Sequence, residues 1–486
     1  MVDVAPLLAK LNTGLFIDGE WREAEGGKTV DVVNPATEEV IATVADGSAQ
    51  DAQDAIEAAG RAQESWGRTA PRERAEILRR AYELIMERQD DIAAIMTAEM
   101  GKSLTEAKGE VDYGAEFFRW FSEEAARIGG DFSISPDGKS RVTVSHEPIG
   151  PAILITPWNF PLAMGTRKIG PAVAAGCTMV FKPAKLTPLT SLALVEVLIE
   201  AGLPAGVLNV VTSESASRVV SPWIESGIAR KITFTGSTEV GVKLLEQAAQ
   251  QVLKPSMELG GNAPLIVAED ADLDKAVAGA LAAKMRNIGE ACTSANRIFV
   301  HSSLVDEFAR RMAEKMGAMK IGNGLEEGTE VGPLVDPKQL AKVTELVDDA
   351  VSKGATVLTG GKQVEGTGYF YEPTVLTNIS DDAEITTTEI FGPVAAIYSF
   401  DTDEEAIARA NDTDLGLAGY IFTENVGRAN WLSERLQVGM IGLNTGIVSN
   451  PGAPFGGVKL SGLGREGGRV GIEEFLETKF VLTPRD

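Results

Sequence analysis

The chain is poor in the residues that disulfide frameworks and histidine-based metal sites require. Its 486 residues include two cysteines, Cys177 and Cys292, and two histidines, His146 and His301. So few thiols in a chain of this length exclude a disulfide framework and favour a reducing compartment, so we expect a cytoplasmic protein. Two histidines leave little material for a metal site, and we predict no metal.

Basic residues are also scarce relative to acidic ones, which limits the partners of the protein. The 45 Lys and Arg residues stand against 70 Asp and Glu residues, giving a formal net charge of -25. Nucleic acid and acidic membrane surfaces are repelled by such a charge, so we expect neither as a partner. No segment approaches the roughly 20 apolar residues of a membrane span, and the N-terminus lacks the pattern of a secretory signal. An anionic ligand must therefore be held by a local cluster of Lys or Arg.

Hydrophobic periodicity divides the chain into helical and sheet-forming parts. Apolar residues recur every three or four positions across 51–129, which predicts amphipathic helices, and a hairpin follows around 136–139. Buried strands then alternate with helices across 151–260 and again after Gly261, which is typical of βαβ units and parallel sheets. The sequence thus predicts an α/β fold with a boundary near Gly260. It also predicts a strand at 479–482 that pairs with the hairpin of its own chain or of a neighbour.

The one match to the dinucleotide-binding fingerprint lacks the strands that should flank it. Gly-x-Gly-x-x-Gly occurs at 462–467, where it follows no predicted strand and precedes too few residues for a βαβ unit. A better phosphate site is 234–241, where Gly236 and Ser237 join a strand to a helix, although an ordinary connection is the alternative. Lys182 and Lys185 follow another strand and suit a ribose 2'-phosphate, unless they form only a solvated surface.

A cysteine and a glutamate carry the candidate chemistry. Cys292 follows Arg286 and Asn287 among small residues, which indicates an accessible and partly activated thiol, whereas a structural cysteine is the alternative. Glu258 stands before two glycines and can serve as a separate carboxylate base, so the pair suggests covalent chemistry on a carbonyl. Cys177 lies among small apolar residues and is expected to be a buried, inert thiol.

Several motifs together resemble the aldehyde dehydrogenase family, and the resemblance runs from end to end. They are 156–161 (TPWNFP), 182–184 (KPA), 234–237 (FTGS), 258–261 (ELGG), Cys292, 389–393 (EIFGP) and 454–457 (PFGG). The resemblance implies a Rossmann-like cofactor domain over 1–128 and 149–259 and an α/β catalytic domain over 260–465. It also implies a small β oligomerisation element from 129–148 and 466–486, in a homodimer or homotetramer.

The same resemblance assigns roles to individual residues. Cys292 is implied as the nucleophile, Asn159 as an oxyanion donor and Glu258 as the base that activates water, with Glu477 helping to relay protons. The residues implied to bind the cofactor are Thr156, Trp158, Lys182, Lys185, Gly236, Ser237, Leu259, Glu389 and Phe391. Lys185 stands where family members that prefer NAD often carry glutamate, so we expect NADP to be preferred and NAD to be the weaker cofactor.

Two positions depart from, or refine, the family pattern close to the nucleophile. Glu290 stands where glutamine is usual, and its carboxylate either raises the pKa of Cys292 or points away from it. Ser294 occupies the position at which some relatives carry a second cysteine, so a local disulfide switch is impossible here.

The substrate is indicated by Arg167, Arg286 and Ser449, whose surroundings resemble the family branch that oxidises succinic semialdehyde. In that branch the matching residues grip the distal carboxylate of a small anionic aldehyde, and Phe160 and Phe455 complete the implied substrate site. Either arginine alone is explained as well by an internal salt bridge.

Other functions remain open on the sequence alone. They are oxidation of glutarate semialdehyde, general aldehyde oxidation, a thiol hydrolase or acyltransferase, and a catalytically silent scaffold.

Overall fold

The computed structural model describes residues 2–485 and consists of helices packed on parallel sheets. The α-helices are α1 Ala5–Leu8, α2 Ala49–Gly67, α3 Pro71–Glu87, α4 Gln89–Met100, α5 Leu104–Ala125, α6 Ala163–Ala175, α7 Leu189–Glu200, α8 Ala216–Glu225, α9 Thr238–Ala249, α10 Leu273–Met285, α11 Val305–Gly317, α12 Pro337–Ser352, α13 Asp403–Asn411, α14 Val426–Arg435 and α15 Val470–Glu473.

The strands are short, and most of those between residues 150 and 300 are completely buried. They are β1 Leu15–Ile17, β2 Glu20–Arg22, β3 Thr29–Val33, β4 Val40–Ala45, β5 Asp131–Ile134, β6 Ser140–Pro148, β7 Ala152–Ile155, β8 Met179–Lys182, β9 Leu208–Val210, β10 Lys231–Thr235, β11 Lys254–Glu258, β12 Ala263–Val267, β13 Ala295–His301, β14 Thr356–Thr359, β15 Thr374–Thr377, β16 Val394–Phe400, β17 Leu415–Gly416, β18 Ala418–Phe422, β19 Met440–Leu443, β20 Val458–Lys459, β21 Gly462–Leu463 and β22 Leu476–Pro484.

The first large sheet has the strand order β2-β1-β9-β8-β7-β10-β11-β21. Strands β9, β8, β7, β10 and β11 are parallel, and β1 and β21 join them in antiparallel fashion at the two sides. The chain runs outward from β7 through β8 to β9, and then returns to the other side of β7 at β10. This reversal of strand order creates a crevice at the carboxyl ends of β7 and β10, where open α/β sheets bind ligands.

The second large sheet has the order β14-β15-β16-β13-β12-β18-β19 and is parallel except for the edge strand β14. Its core holds Ile298, Val300 and Ile397, whose side chains are almost wholly buried. Gly260 and Gly261 connect β11 of the first sheet directly to β12 of the second. The carboxyl edge of one sheet therefore faces the loop that precedes β13 of the other.

A three-stranded sheet, in the order β22-β6-β5, stands apart from the two large ones. The predicted hairpin is confirmed as β5 and β6, and the predicted C-terminal strand pairs with β6 of its own chain. The α/β fold class is likewise confirmed, with parallel strands where βαβ spacing predicted them. The assignment of functions to the three parts of the chain stays a prediction.

The Gly-x-Gly match at 462–467 has a structural explanation. Gly462 lies on β21 with φ of 141°, and a Cβ placed on it would stand 1.9 Å from the carbonyl oxygen of Met257 on β11. Glycine is needed there because two backbones approach closely, not because a phosphate binds. The prediction that this match is a decoy agrees with its position.

Within residues 2–485, no helix is long and apolar enough to cross a bilayer. The same residues contain no group of three or more His, Cys, Asp or Glu side chains placed to hold a metal ion.

Candidate active site

Cys292 follows a strained turn that hydrogen bonds to other segments of the chain hold in place. Asn287 and Ile288 have φ of 55° and 62°, a left-handed conformation that is rare for a β-branched residue. The Asn287 N–H donates to Glu106 Oε1 at 2.6 Å, and its side-chain Nδ2 donates to the carbonyl oxygens of Asn159 and Glu290 at 3.0 and 2.9 Å. These hydrogen bonds fix the turn, and strain of this kind concentrates at functional sites.

The thiol of Cys292 is partly accessible, but it is not activated in this structure. Burial raises its pKa to about 12, and Arg167 and Arg286 oppose that rise while Glu389 and Glu258 add to it. The arginines thus act in the predicted direction, but loss of water outweighs them. The predicted partial activation is therefore not supported, because burial raises the pKa of the thiol.

Asn159 lies beside the nucleophile with one amide hydrogen already engaged. Its Nδ2 donates to the carbonyl oxygen of Glu290 at 2.9 Å, and its buried Oδ1 has no partner among the described residues. A side-chain amide has two N–H donors, so the second remains for an oxyanion. The Asn159 main-chain carbonyl accepts from Lys102 Nζ at 2.8 Å, in addition to Asn287.

Glu258, the last residue of β11, is a buried carboxyl group whose two oxygens lack partners within residues 2–485. Its pKa is raised well above the ordinary value, first by burial and then by the negative charge of Glu466. Room for this side chain is made by Gly456, because a Cβ there would stand 2.8 Å from Glu258 Oε1. A carboxyl group whose pKa is raised in this way binds a proton more readily than an ordinary carboxylate, as a general base must.

The charges that surround Glu258 come from positions that the sequence did not reveal. Glu466 forms ion pairs with Arg167 and Lys168, and Lys168 Nζ also donates to Thr235 Oγ1 at 2.8 Å. These cations lower the pKa of the Glu466 carboxyl despite its burial, whereas burial lowers the pKa of Lys168. Glu466 is therefore a buried carboxylate that tunes Glu258.

The predicted relay residue Glu477 is wrong. It lies on the exposed strand β22, in register with Glu147 on β6, and does not contact Glu258. The acidic residue coupled to Glu258 is Glu466, which lay hidden in the Gly-x-Gly match, and its partner Lys168 directly follows Arg167.

Glu290 points away from the nucleophile. Its Oε1 accepts the Val335 N–H at 3.2 Å, while Oε2 is buried without a partner in the described part of the chain. Burial raises its pKa well above the ordinary value, which disfavours the charged form and makes the side chain more similar to the usual glutamine. Of the two alternatives for this position, the structure supports the second.

Arg286 contacts Ser449, and the charges of Arg286 and Arg167 both act on the Cys292 thiol. Arg286 Nη1 donates to Ser449 Oγ at 3.0 Å, and the guanidinium lies 5.0 Å from the ring centre of Phe160 and 5.5 Å from that of Tyr113. Among residues 2–485 this arginine forms no salt bridge. An internal salt bridge therefore does not explain Arg286.

Arg167 forms an internal salt bridge and also retains a nitrogen that could bind a substrate carboxylate. It forms an internal ion pair with Glu466, and its guanidinium stacks 4.1 Å from the ring centre of Phe455. Its Nη1 is buried and has no hydrogen-bond partner in the described residues. A buried donor without a partner is energetically unfavourable. Burial disfavours its charge, but Glu466 more than offsets this effect, and the pKa of Arg167 is raised. Arg167 is thus a permanent cation with one free donor.

A cavity of about 190 Å³ joins the catalytic and cofactor candidates. Its lining includes Trp158, Asn159, Gly236, Ser237, Glu258, Leu259, Cys292, Glu389 and Phe391, together with Gln339 and Lys342, which sequence reasoning missed. These last two lie on α12 and carry no recognisable motif. A larger open groove of about 1030 Å³ beside β14 contains none of the predicted residues.

Individual side chains in this region suit a dinucleotide. Thr156 Oγ1 is buried without a partner in residues 2–485, and Ser237 caps α9 by accepting from the Val240 N–H at 3.4 Å. Glu389 Oε1 accepts the Gly261 N–H at 3.0 Å, and burial raises the pKa of Glu389 to about 7. The Trp158 and Phe391 rings meet edge to face at 5.4 Å.

The two lysines that follow β8 are close enough to influence each other. Burial and, to a smaller extent, the charge of Lys185 lower the pKa of Lys182 to about 8. Lys182 is buried, whereas Lys185 is exposed at the rim. Two ammonium groups in this arrangement favour an anion between them.

The second cysteine behaves as predicted. Cys177 is fully buried, its thiol donates to the carbonyl oxygen of Phe475 at 3.3 Å, and burial raises its pKa to about 11. Neither cysteine is in a disulfide.

Known proteins match this chain over almost its full length. The family model described as "Aldehyde dehydrogenase family" covers residues 21–481. A succinate-semialdehyde dehydrogenase of Paenarthrobacter nicotinovorans is 55% identical over 442 residues, which span 91% of this chain and 98% of that protein. A glutarate-semialdehyde dehydrogenase of Pseudomonas putida is 52% identical over 466 residues, 96% of each chain. The crystal structure of an NADP dependent enzyme of E. coli matches with a TM-score of 0.96 and 48% identity, covering 98% of each chain.

Proposed function

This chain belongs to the aldehyde dehydrogenase family, and we propose that it oxidises succinic semialdehyde to succinate with NADP as the preferred hydride acceptor. The single observation that supports the substrate is the hydrogen bond from Arg286 to Ser449, in an arginine that forms no salt bridge among residues 2–485. A protein of net charge -25 repels an anionic aldehyde unless guanidinium groups concentrate positive charge at its site.

The same site supports a second candidate, glutarate semialdehyde. That aldehyde carries the same two functional groups with one more methylene, and a relative named for it is 52% identical to this chain. A single methylene in a pocket changes discrimination by only about 1–3 kcal/mol. We therefore expect both substrates to be used, with the four-carbon aldehyde favoured.

In the first chemical stage, the Cys292 thiolate attacks the aldehyde carbon. Arg167 and Arg286 favour the thiolate, because both lower the pKa that burial raises. The carbonyl oxygen becomes the oxyanion of a thiohemiacetal, which accepts the free Asn159 amide hydrogen and the Cys292 N–H. NADP, when bound, would supply the acceptor for the hydride that leaves the former aldehyde carbon, and Cys292 would then hold the acyl group as a thioester.

In the second stage, Glu258 takes a proton from water, whose oxygen attacks the thioester carbon. The carbon–sulfur bond breaks, the Cys292 thiol is restored and the free carboxylate leaves. Burial and then the charge of Glu466 raise the pKa of Glu258, which strengthens it as a proton acceptor, and Arg167 and Lys168 limit that rise.

The residues present fit a dinucleotide cofactor. The unpartnered hydroxyl of Thr156 and the N-terminus of α9 at Gly236 and Ser237 offer polar contacts to the ribose and the pyrophosphate. Leu259 and the Trp158–Phe391 pair provide apolar walls. Lys182 and Lys185 suit a 2'-phosphate, which a carboxylate at position 185 would repel.

The test is a comparison of initial rates, followed at the reduced-nicotinamide absorbance band. Succinic semialdehyde, glutarate semialdehyde and butyraldehyde are each assayed with NADP and with NAD. We expect kcat/KM to be highest for succinic semialdehyde with NADP. Equal kcat/KM with butyraldehyde would indicate a general aldehyde dehydrogenase. If no combination of aldehyde and cofactor gave reduced nicotinamide, the proposed function would be excluded.

We also propose a homo-oligomer, dimer or tetramer, in a reducing cytoplasm. The three-stranded sheet exposes Phe132, Phe480 and Leu482, with exposed fractions of 68%, 68% and 56%, which favours a partner on this sheet. Light scattering during gel filtration tests the assembly, and a monomer at micromolar concentration would contradict it. The two free thiols support the location.

A further inference from the structure

A buried ion pair outside the reacting atoms holds the segment that carries Asn159. Lys102 and Glu110 pair with one another, and the side chain of each is 1% exposed. Glu110 lies on α5, and Lys102 lies in the short link that joins α4 to this helix. Burying two charges costs several kcal/mol unless further hydrogen bonds compensate, so their remaining contacts indicate what the pair does.

Each member of the pair contacts a different end of the 159–163 segment. Lys102 Nζ donates to the Asn159 carbonyl oxygen at 2.8 Å and lies 4.3 Å from the ring centre of Phe160. Glu110 Oε1 accepts the N–H groups of Leu162 and Ala163 at 2.9 and 3.1 Å. Because helix α6 begins at Ala163 without a cap from its own segment, Glu110 satisfies its free N-terminal donors.

The contacts continue to the nucleophile. The Asn159 carbonyl that Lys102 holds also accepts Asn287 Nδ2, and the Asn159 amide donates to the carbonyl of Glu290, two residues before Cys292. A displacement of the Asn159 main chain therefore changes the distance from its amide to the oxyanion. Misplacements of about 1 Å are enough to reduce rates about 100-fold.

We propose that Lys102 and Glu110 are positioning residues that act through Asn159, and this inference rests on the proposed function. Lys102 places the Asn159 amide against Cys292, and Glu110 pairs with Lys102 and fixes the start of α6. Neither residue contacts the predicted reacting atoms. Their effect on the reaction must therefore disappear when the Asn159 amide is absent.

A double-mutant cycle tests this dependence. The variant Lys102→Met/Glu110→Gln removes both charges together, and the glutamine oxygen can still accept the two N–H groups of α6. Its kcat/KM for succinic semialdehyde is measured with Asn159 present and in an Asn159→Ala background. We expect a loss of tenfold or more with Asn159 present, and less than about threefold in the Asn159→Ala background, since interacting residues are not additive. Equal losses in both backgrounds, or no loss in either, would overturn the proposal.

Two further variants separate positioning from folding. Glu110→Gln alone removes the charged partner of the buried Lys102 ammonium group, so we expect a loss of kcat/KM that shrinks to less than about threefold in the Asn159→Ala background. An equal loss in both backgrounds would contradict the proposal. Glu99→Gln is the matched control, because Glu99 is a buried carboxyl that accepts the N–H groups of Leu189 and Thr190 at 2.7 and 2.8 Å at the start of α7. It should lower Tm without lowering kcat.

Hydrogen exchange gives a readout that needs no activity. In the Lys102→Met/Glu110→Gln variant, peptides covering 159–163 and 287–293 should both exchange faster than in the parent, whereas Glu99→Gln should leave them unchanged. If the double variant does not fold, Lys102→Met alone is measured in the same way. If the variant exchanges faster than its parent but the parent oxidises no aldehyde, only the proposed function is refuted. Unchanged exchange in both peptides would refute the positioning of Asn159.

Discussion

In an Arg286→Met variant, we expect kcat/KM for succinic semialdehyde to fall about 10- to 150-fold and that for butyraldehyde to change less than about threefold. The Arg286 guanidinium donates to Ser449 Oγ at 3.0 Å and forms no salt bridge within residues 2–485, so its charge is available to a substrate carboxylate. A hydrogen bond to a charged group contributes about 1.5–3 kcal/mol, and each 1.4 kcal/mol is a factor of ten. Methionine keeps an unbranched chain against Phe160 and Tyr113, which limits the change to the lost donors.

The assay is the initial rate of NADP reduction with each aldehyde over a range of concentrations. Ser449→Ala is a milder companion, because a neutral hydrogen bond contributes about 1 kcal/mol, which corresponds to roughly fivefold. Arg167→Met is the contrasting control. It removes a counter-ion of Glu466 near Glu258, so both aldehydes should be affected. If Arg286→Met reduces kcat/KM equally for both aldehydes, the carboxylate site is refuted.

Three further predictions concern single side chains. The rate of Cys292 alkylation by iodoacetamide without cofactor should rise about tenfold per pH unit between pH 7 and 10. Burial raises the thiol pKa to about 12, and the thiolate forms only as the pH approaches that value. A plateau in the alkylation rate below pH 9 would contradict this prediction. Glu290→Gln should leave kcat at pH 7 within about twofold, because burial disfavours the carboxylate charge and glutamine also accepts the Val335 N–H. A tenfold loss would show that the charge of Glu290 matters. Lys185→Glu should shift the ratio of kcat/KM for NADP over NAD at least tenfold towards NAD, because a carboxylate repels the 2'-phosphate. An unchanged ratio would show that Lys185 does not bind the cofactor.

Local signals in the sequence were sufficient for the strands and for several candidate residues. The apolar segment at β7 and the glycine turn after β10 predict their structures, because strand burial and turn conformation depend on neighbouring residues. Arg286 and Ser449 were expected to meet, and they form a hydrogen bond. Their proximity came from the resemblance of whole motifs, since nothing local links positions 163 residues apart.

The residues that sequence reasoning missed act through contacts between distant segments. Lys168 and Glu466 are 298 positions apart, and Glu466 was obscured because its glycine-rich surroundings mimic a nucleotide motif. Glu477 was predicted in its place, although the exposed strand β22 carries it away from Glu258. Gln339 and Lys342 on α12 reach the cavity only because the second sheet faces the first.

The sequence by itself determined the alternation of strands and helices and identified the candidate nucleophile Cys292 and the candidate base Glu258. These depend on residue identity and local spacing, which a sequence states directly. The tertiary structure alone decided the protonation of the site. Burial raises the pKa of Cys292, Glu258 and Glu290, and only the packing around Glu466 sets the balance between its negative charge and the cations beside it. Desolvation and charge pairing depend on which atoms surround a group in space, and the chain order does not contain that information.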